Sequence, residues 1–466
     1  MGGSARARAG RRVVTNALLA VALLLGGITA CADEPAPSPE QPLRVSDNGR
    51  HLVDESGTPW LMAADTAWTI VSKLTPAEAD QYLDGRSATG FNSVAISLVD
   101  ITSGSVRATT DAAGEPLFRP GTDEPNPAFF ESVDRFLDAA ESRGITVLIV
   151  PMWLKFADQD PGFTVDAMTN LGTFLGERYR DRDNIIWVMG GDYGSAEGEG
   201  LCPRPDEVRA LANAIDRSDP RHLITYHPGA NLSSTTCYPD EPWLDFDSTY
   251  WDFNTDNLSS AYRNVWRDYD SDPVRPVVML EAGYEGPHPG DPDPDVLDAR
   301  TSRLQSYEMM LAGGLGFTYG ANSTYFTDND SPVAARTWQE SLTIPGAQQQ
   351  GLAARLLRDH AWWRLAPDRD DAVVVAGQGT VGEQDYVVTA LADDGSLAIS
   401  YLPTARPIVV DLDRLRGPVT ARWYDPTSGR YLPALDGDTP ATGRRELTPP
   451  AANEAGDDDW ILVLEA

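Results

Sequence analysis

The sequence predicts a (β/α)₈ barrel followed by a small all-β domain. Three observations carry this. Eight short apolar runs alternate with helical stripes over about 280 residues, as buried parallel strands with helical crossovers require. The alternation stops near Ala372, where short β runs between Gly, Asp and Pro turns take over. The first strand also lacks the Gly-rich phosphate turn that an open doubly wound sheet would place after it.

The first strand is Leu61-Met62-Ala63-Ala64, ending at Asp65. Thr75-Pro76-Ala77-Glu78 starts a helix, with Thr as N-cap, Pro in the first turn and Glu closing a capping box. Ala79, Tyr82 and Leu83 form its apolar face, and Gly90 stops it. A strand over 93–98 follows. Phe129, Phe130, Val133, Phe136, Leu137 and Ala140 make a helical stripe that ends at Gly144. The strand over 145–150 runs into Pro151-Met152-Trp153. Four further helices, over 166–182, 205–217, 257–269 and 296–312, are interleaved with strands over 185–189, 223–226, 247–250, 276–280 and 315–319. A helix over 347–359 precedes the domain boundary, which falls within 362–369. The β runs of the tail cover 372–375, 386–390, 397–402, 408–412, 419–424 and 460–464. The expected division is a leader over 1–31, a Pro-rich tether over 32–42, the barrel over 43–365 and a β-sandwich over 370–466.

A length of 466 residues suits two or three domains and a large core. Lys+Arg is 37 and Asp+Glu is 70, a formal charge of −33. Such a surface repels nucleic acid and anionic membranes, so neither is expected as a partner. Hydrophobic residues at 41% and charged residues at 23% indicate a globular chain. Lysine occurs only at Lys73 and Lys155. Three Cys and five His argue against a multi-site zinc or iron–sulfur protein, and no metal or cofactor is expected.

Arg6, Arg8, Arg11 and Arg12 precede an apolar run from Ala17 to Leu25, which has the length of a signal-peptide core and is short for a spanning helix. Ile28-Thr29-Ala30-Cys31 resembles a bacterial lipobox, which implies lipidation of Cys31 after cleavage. An ordinary signal peptide is the alternative, and Arg11-Arg12 raises twin-arginine export. The expectation is a monomeric extracytoplasmic lipoprotein that meets the membrane only through the Cys31 lipid. Outside the cytoplasm the two remaining thiols, Cys202 and Cys237, tend to pair. Two free buried thiols are the alternative.

Barrel enzymes carry their chemistry at the C-terminal ends of the strands. Those ends hold Asp65, Ser97, Trp153, Asp192, His227, Trp251, Glu281 and Tyr319. Aromatic rings suit the C–H faces of sugars, and carboxylates suit hydroxyls and proton transfer. Asp192 and Glu281 each follow an apolar strand directly, so burial should tune them. A sugar between strands four and seven would meet one carboxyl on each side. Retaining hydrolysis wants about 5–5.5 Å between them and inverting hydrolysis roughly 6.5–9.5 Å. Structural ion pairing is the bland alternative for both, and Glu285 is a rival for the second role.

Asp65-Thr66-Ala67-Trp68, Gly90-Phe91-Asn92, the run from Asn184 to Asp192, Tyr226-His227-Pro228, Glu241-Pro242-Trp243-Leu244-Asp245-Phe246 and Thr318-Tyr319-Gly320-Ala321-Asn322-Ser323 resemble the apiosidase-like glycoside hydrolases. The resemblance spans roughly residues 43–365 and implies a retaining barrel with Asp192 as acid/base and Glu281 as nucleophile. The family often has Gly-Glu-Pro around the nucleophile, whereas this chain has Leu280-Glu281-Ala282. The tail resembles the collagen-binding-like β domain often fused to such barrels.

Asp65 and Trp68 would contact the sugar in a terminal subsite or pack the first loop. Asn92 would bind substrate or cap the second strand. His227 would bond substrate or Glu281, or sit satisfied in the core. Tyr319 would steer the nucleophile or pack, with Asn322 similar, and Trp153 and Trp251 are stacking platforms or core. The acidic run at Asp291, Asp293 and Asp295 lacks EF-hand order and reads as a solvated loop.

The expected activity is hydrolysis of a glycosidic bond at the non-reducing end of polysaccharide side chains, with a furanoside such as apiose or arabinose in view. The alternative is a non-catalytic glycan-binding adhesin. A protease is disfavoured because neither Gly-x-Ser-x-Gly nor His-Glu-x-x-His occurs.

Overall fold

A computed structural model describes residues 42–160, 163–194, 200–251, 261–286, 297–327, 329, 336–435 and 441–466. The leader, Cys31, the tether up to residue 41 and the run at Asp291, Asp293 and Asp295 lie outside the described residues.

Eight strands ring the barrel: β1 (Met62–Thr66), β2 (Ser93–Ser97), β3 (Thr146–Val150), β4 (Ile185–Gly190), β5 (Ile224–His227), β6 (Asp247–Tyr250), β7 (Val277–Glu281) and β8 (Gly316–Tyr319). Six pair in parallel in the order β8-β1-β2-β3-β4-β5, and β6 pairs in parallel with β7. The two arcs meet through a few bonds at each junction, among them Asp245 N to Ile224 O at 3.0 Å and Ser248 Oγ to Tyr226 O. Thr225 Oγ1 donates to Phe246 O at 2.8 Å, and Leu315 N donates to Val277 O at 2.8 Å. Every residue of the eight strands is buried, which explains their continuous apolar runs.

The helices outside are α1 (Pro76–Thr89), α2 (Pro127–Glu141), α3 (Val165–Tyr179), α4 (Pro205–Ser218), α5 (Ala261–Tyr269), α6 (Ala299–Leu311) and α7 (Pro345–Asp359). The capping box at Thr75 is present: Thr75 Oγ1 accepts from Glu78 N, and Glu78 Oε2 accepts from Thr75 N. All six residues of the stripe on α2 are buried.

The tail forms two antiparallel sheets. Six strands run in the order β9 (Leu365–Pro367), β11 (Val388–Ala392), β12 (Leu397–Leu402), β17 (Trp460–Glu465), β14 (Thr420–Tyr424) and β15 (Tyr431–Pro433). The other sheet is β10 (Val374–Ala376), β13 (Ile408–Asp411) and β16 (Arg444–Leu447). Strict alternation gives the larger sheet two apolar faces. Ala398, Leu402, Leu462 and Leu464 pack toward the smaller sheet, while Ile399, Tyr401, Ile461 and Val463 join the cluster of α6 and α7. Arg303 of α6 rivets the two halves. Buried beneath them, it donates to Asp459 through Nε at 3.0 Å and Nη2 at 2.7 Å.

Sequence reading missed β9, β15, β16 and three two-residue strands before β1, at Arg44–Val45, Leu52–Val53 and Pro59–Trp60. The two- and three-residue strands are too short to show a period, and β16, Arg-Arg-Glu-Leu, is charged and exposed over its first three residues. Among the described residues no helix is long and apolar enough to cross a membrane.

Candidate active site

The first carboxyl is set by an unusual backbone. β4 ends in three consecutive residues with positive φ: Gly190 (93°), Gly191 (116°) and Asp192 (36°). Glycine is required at the first two. A Cβ on Gly190 would lie 2.3 Å from His227 O, and one on Gly191 would lie 2.9 Å from the Trp153 ring. The chain thereby turns tightly over Trp153 and delivers Asp192 to the rim. There the Asp192 N–H donates to His227 Nδ1 at 3.2 Å, and Lys155 Nζ lies 3.0 Å from Asp192 Oδ2.

The second carboxyl is re-aimed by a bulge. Along β7, Val277 and Met279 face the outer helices, and Val278 and Leu280 join the cluster that contains Met62 and Trp68. Regular alternation would turn Glu281 outward. The register with β6 instead slips between Met279, opposite Thr249, and Glu281, opposite Tyr250. The extra residue puts Glu281 on the side of Tyr250, whose ring meets His227 with centroids 5.5 Å apart. Glu281 Oε1 accepts from Tyr284 OH and from Trp68 Nε1 at 3.3 Å. Trp68 Nε1 also donates to Tyr284 OH at 2.7 Å.

His227, fully buried at the end of β5, touches both carboxyl-bearing segments. Its Nε2 lies 2.9 Å from Glu281 Oε2, off the line of a standard hydrogen bond, while Nδ1 receives the Asp192 N–H. Nδ1 also lies 2.9 Å from Pro228 O, so the neutral ring takes the Asp192 N–H there and the charged ring donates to Pro228 O. Burial opposes charge on His227, but the contact with Glu281 and the charges of Glu281 and Asp192 outweigh it and raise its pKa. Burial also pushes the Asp192 carboxyl up to about 6, reinforced by the charge of Glu281 and opposed by Lys155 and His227. Asp192 is thus the carboxyl suited to hold a proton near neutrality. Glu281, held by the donors Tyr284 and Trp68 and in contact with His227, is suited to attack or stabilise a cationic centre.

A family model described as "Apiosidase-like, catalytic domain" matches residues 46–364. The chain belongs to the apiosidase-like family. It is a glycoside hydrolase, and carbohydrate is its substrate class. A second model, "Putative collagen-binding domain of a collagenase", matches residues 367–465. Among solved structures, one described as a glycoside hydrolase superposes with TM-score 0.79 and 24% identity, covering 91% of this chain and 97% of the other. A glycoside hydrolase family 5 protein from Bacteroides vulgatus ATCC 8482 gives 0.78 and 24%, covering 91% and 93%. A family 39 glycoside hydrolase from Bacteroides cellulosilyticus WH2 gives 0.51 and 12%, covering 89% and 84%. No curated protein matches the chain at a significant level.

The apiosidase-like barrel brings Asp192, Glu281, His227, Trp68 and Trp153 together. The Trp68 and Trp153 rings meet edge to face at 5.0 Å. Other residues expected at the substrate lie elsewhere. Asp65, on the outward pleat of β1, is fully buried and takes Arg86 Nε at 2.6 Å and the Tyr82 hydroxyl, both from α1. Burial raises its pKa against the pull of Arg86, and it ties strand to helix. Asn92 starts β2 at the far end of the barrel, where its side chain accepts from Ala63 N at 2.9 Å and donates to Leu61 O at 2.8 Å. Tyr319 also faces outward and donates to Glu285 Oε2 at 2.6 Å, not to Glu281.

Glu285 is spoken for as well. Its Oε1 accepts from Gly346 N at the start of α7 at 3.3 Å, which removes it as the rival nucleophile. Asn322 braces the same loop, donating to Gly286 O at 2.7 Å. The Trp251 side chain joins the outer cluster, while its main-chain N donates to Glu281 O at 3.1 Å.

Sequence reading missed Tyr284, Lys155 and Tyr250. The first had a signal, an aromatic three residues beyond a strand-end Glu; the second is one of only two lysines. A disulfide joins Cys202 to Cys237, with Cα atoms 5.3 Å apart. Among the described residues no group of three or more His, Cys, Asp or Glu side chains is placed to hold a metal ion.

Proposed function

We propose that this glycoside hydrolase releases a terminal sugar from polysaccharide side chains with retention of configuration. Glu281 attacks the anomeric carbon as the bond to the leaving oxygen breaks, and Asp192 gives that oxygen its proton. Asp192 then takes a proton from water, whose oxygen displaces Glu281. The observation that carries this reading is the His227 bridge: one imidazole meets both carboxyl segments, while their surroundings differ in the way an acid/base and a nucleophile require.

The aromatic walls support an exo-acting site. Trp68, Trp153 and Tyr250 crowd His227 with ring centroids 5.6, 5.7 and 5.5 Å from it, which leaves one end of the site walled. The sugar class is a furanoside such as apiose or arabinose. The chain acts outside the cytoplasm as a monomer, anchored by a lipid on Cys31, and the disulfide fits that compartment.

A panel of aryl glycosides, including apiosides and arabinofuranosides, tests the activity. NMR of the first-formed product tests retention. Turnover with the anomer retained, lost by orders of magnitude in Asp192→Ala and Glu281→Ala, is expected. No turnover of any glycoside, together with no sugar released from pectin or arabinan, refutes the reading; an inverted first product refutes retention.

A further inference from the structure

A cavity of about 430 Å³ lies away from the catalytic rim. Its walls come from the turn between the first two short strands before β1, the C-terminal end of α5, residues 363–366 leading into β9, and the hairpin joining β11 to β12. The first two lead into strand beginnings, Met62 of β1 and Val277 of β7. The cavity therefore opens at the end of the barrel opposite Asp192 and Glu281, too far to be a subsite of that centre. Its size falls within the roughly 300–1,000 Å³ range of small-molecule sites.

The lining has the chemistry of a site for an uncharged ring. Trp363 is half-buried and packs against the cluster shared by barrel and β domain, and its indole lines the cavity. Arg50 lies 3.7 Å over the Tyr269 ring, which orients a guanidinium in the wall. Asn48 Oδ1 accepts from Ser46 Oγ at 2.7 Å and Arg50 N at 3.1 Å, so its amide is held with Nδ2 as the remaining donor. Asp393 adds an exposed carboxylate. His51, nine-tenths buried in the same wall, has a buried Nδ1 without a hydrogen-bond partner in the protein.

Charge selects among ligands. Arg50 and Arg364 balance Asp393 and Asp394 in the lining, and Arg364 is paired with Asp394. The cavity is thus locally neutral on a chain whose formal charge is −33, which disfavours polyanions.

We propose that this cleft is a second carbohydrate-binding site, taking one or two rings of a neutral glycan with Trp363 as the stacking face and Asn48 and Asp393 as the polar contacts. It holds a polysaccharide on the enzyme while the catalytic mouth trims another part of it.

Affinity electrophoresis of the full chain through native gels containing arabinan, galactan or xyloglucan tests this. At least one polymer should retard the wild type, and the surface double variant Asn48→Ala/Asp393→Ala should run as in an empty gel. The same variant should cleave a small aryl glycoside within about twofold of wild type, and release sugar from dilute polymer about three- to tenfold more slowly. Trp363→Phe should weaken retardation only partly. No retardation of wild type by any of the three polymers overturns the proposal. So does retardation that survives the double variant, or that is lost in Trp68→Ala at the catalytic mouth while the double variant keeps it. These readouts are separate from whether the mouth cleaves a furanoside.

Discussion

Replacing Tyr284 by Phe removes one hydroxyl from beneath the proposed nucleophile. That hydroxyl donates to Glu281 Oε1 and accepts from Trp68 Nε1 at 2.7 Å. The ring stays, tilted against Tyr325 with centroids 4.4 Å apart, so packing is kept. A hydrogen bond to a charged group contributes about 1.5–3 kcal/mol net. Part is recovered, because Trp68 Nε1 lies 3.3 Å from the same oxygen and is released to close on it. The expected loss is therefore about 1.4–2.7 kcal/mol, or roughly 10–100-fold in kcat/KM. Initial rates on an aryl glycoside that the wild type cleaves measure it, with thermal unfolding recorded alongside. The loss should fall on kcat, since Tyr284 orients an attacking oxygen. A kcat/KM within threefold of wild type at unchanged Tm refutes the assignment. A loss carried entirely by KM refutes it too.

Lys155→Met should move the alkaline limb of the kcat/KM profile upward. Asp192 must be protonated to act as an acid, its pKa lies at about 6, and the Lys155 charge holds it down. Lys155 is half exposed, so the shift should be under about one pH unit. A downward shift contradicts this. Gly190→Ala should reduce kcat roughly 100-fold or more, because the new Cβ meets His227 O and displaces a catalytic segment; less than tenfold loss in steady-state rates counts against the tight turn. Arg303→Met should destabilise the chain by about 3–5 kcal/mol in chemical denaturation, since Asp459 stays buried with Tyr401 and Asn453 as its remaining side-chain donors among the described residues. A change below 1 kcal/mol would show that Arg303 does not rivet the domains.

The barrel was legible because its strands are buried on both faces and its helices carry end signals such as Thr75 and Gly90. The site was legible only in part, because position at a strand end does not say which way a side chain points. Asp65, Asp192 and Glu281 all follow apolar runs. Pleat parity decides between them. Leu61 and Ala63 belong to the outer cluster, so Asp65 and its register partner Tyr319 also face the helices, where they meet Arg86 and Glu285. Counting in twos from Ala63 exposes that error. The same count fails for Glu281, which parity sends outward. Only the bulge turns it inward, and a bulge in a continuous apolar strand leaves no periodic trace in sequence.

Both proposed catalytic carboxyls thus stand where regular structure breaks: a slipped register on β7 and a left-handed turn after β4. A non-glycine residue such as Asp192 in the left-handed region costs about 1–3 kcal/mol, and such strain persists only where the surroundings over-determine it. Three constraints do so here. Gly190 and Gly191 press against His227 and Trp153, His227 Nδ1 takes the Asp192 N–H, and the disulfide ties the loop that leaves Asp192 to the loop that leaves His227. A bridge across a separation of 35 residues contributes on the order of 3–4 kcal/mol to overall stability by restricting the unfolded chain, so the fold as a whole tolerates the strain of one left-handed residue. The Cys202–Cys237 bond thus fixes the two loops that leave Asp192 and His227 to each other, even though neither sulfur reaches the carboxyls.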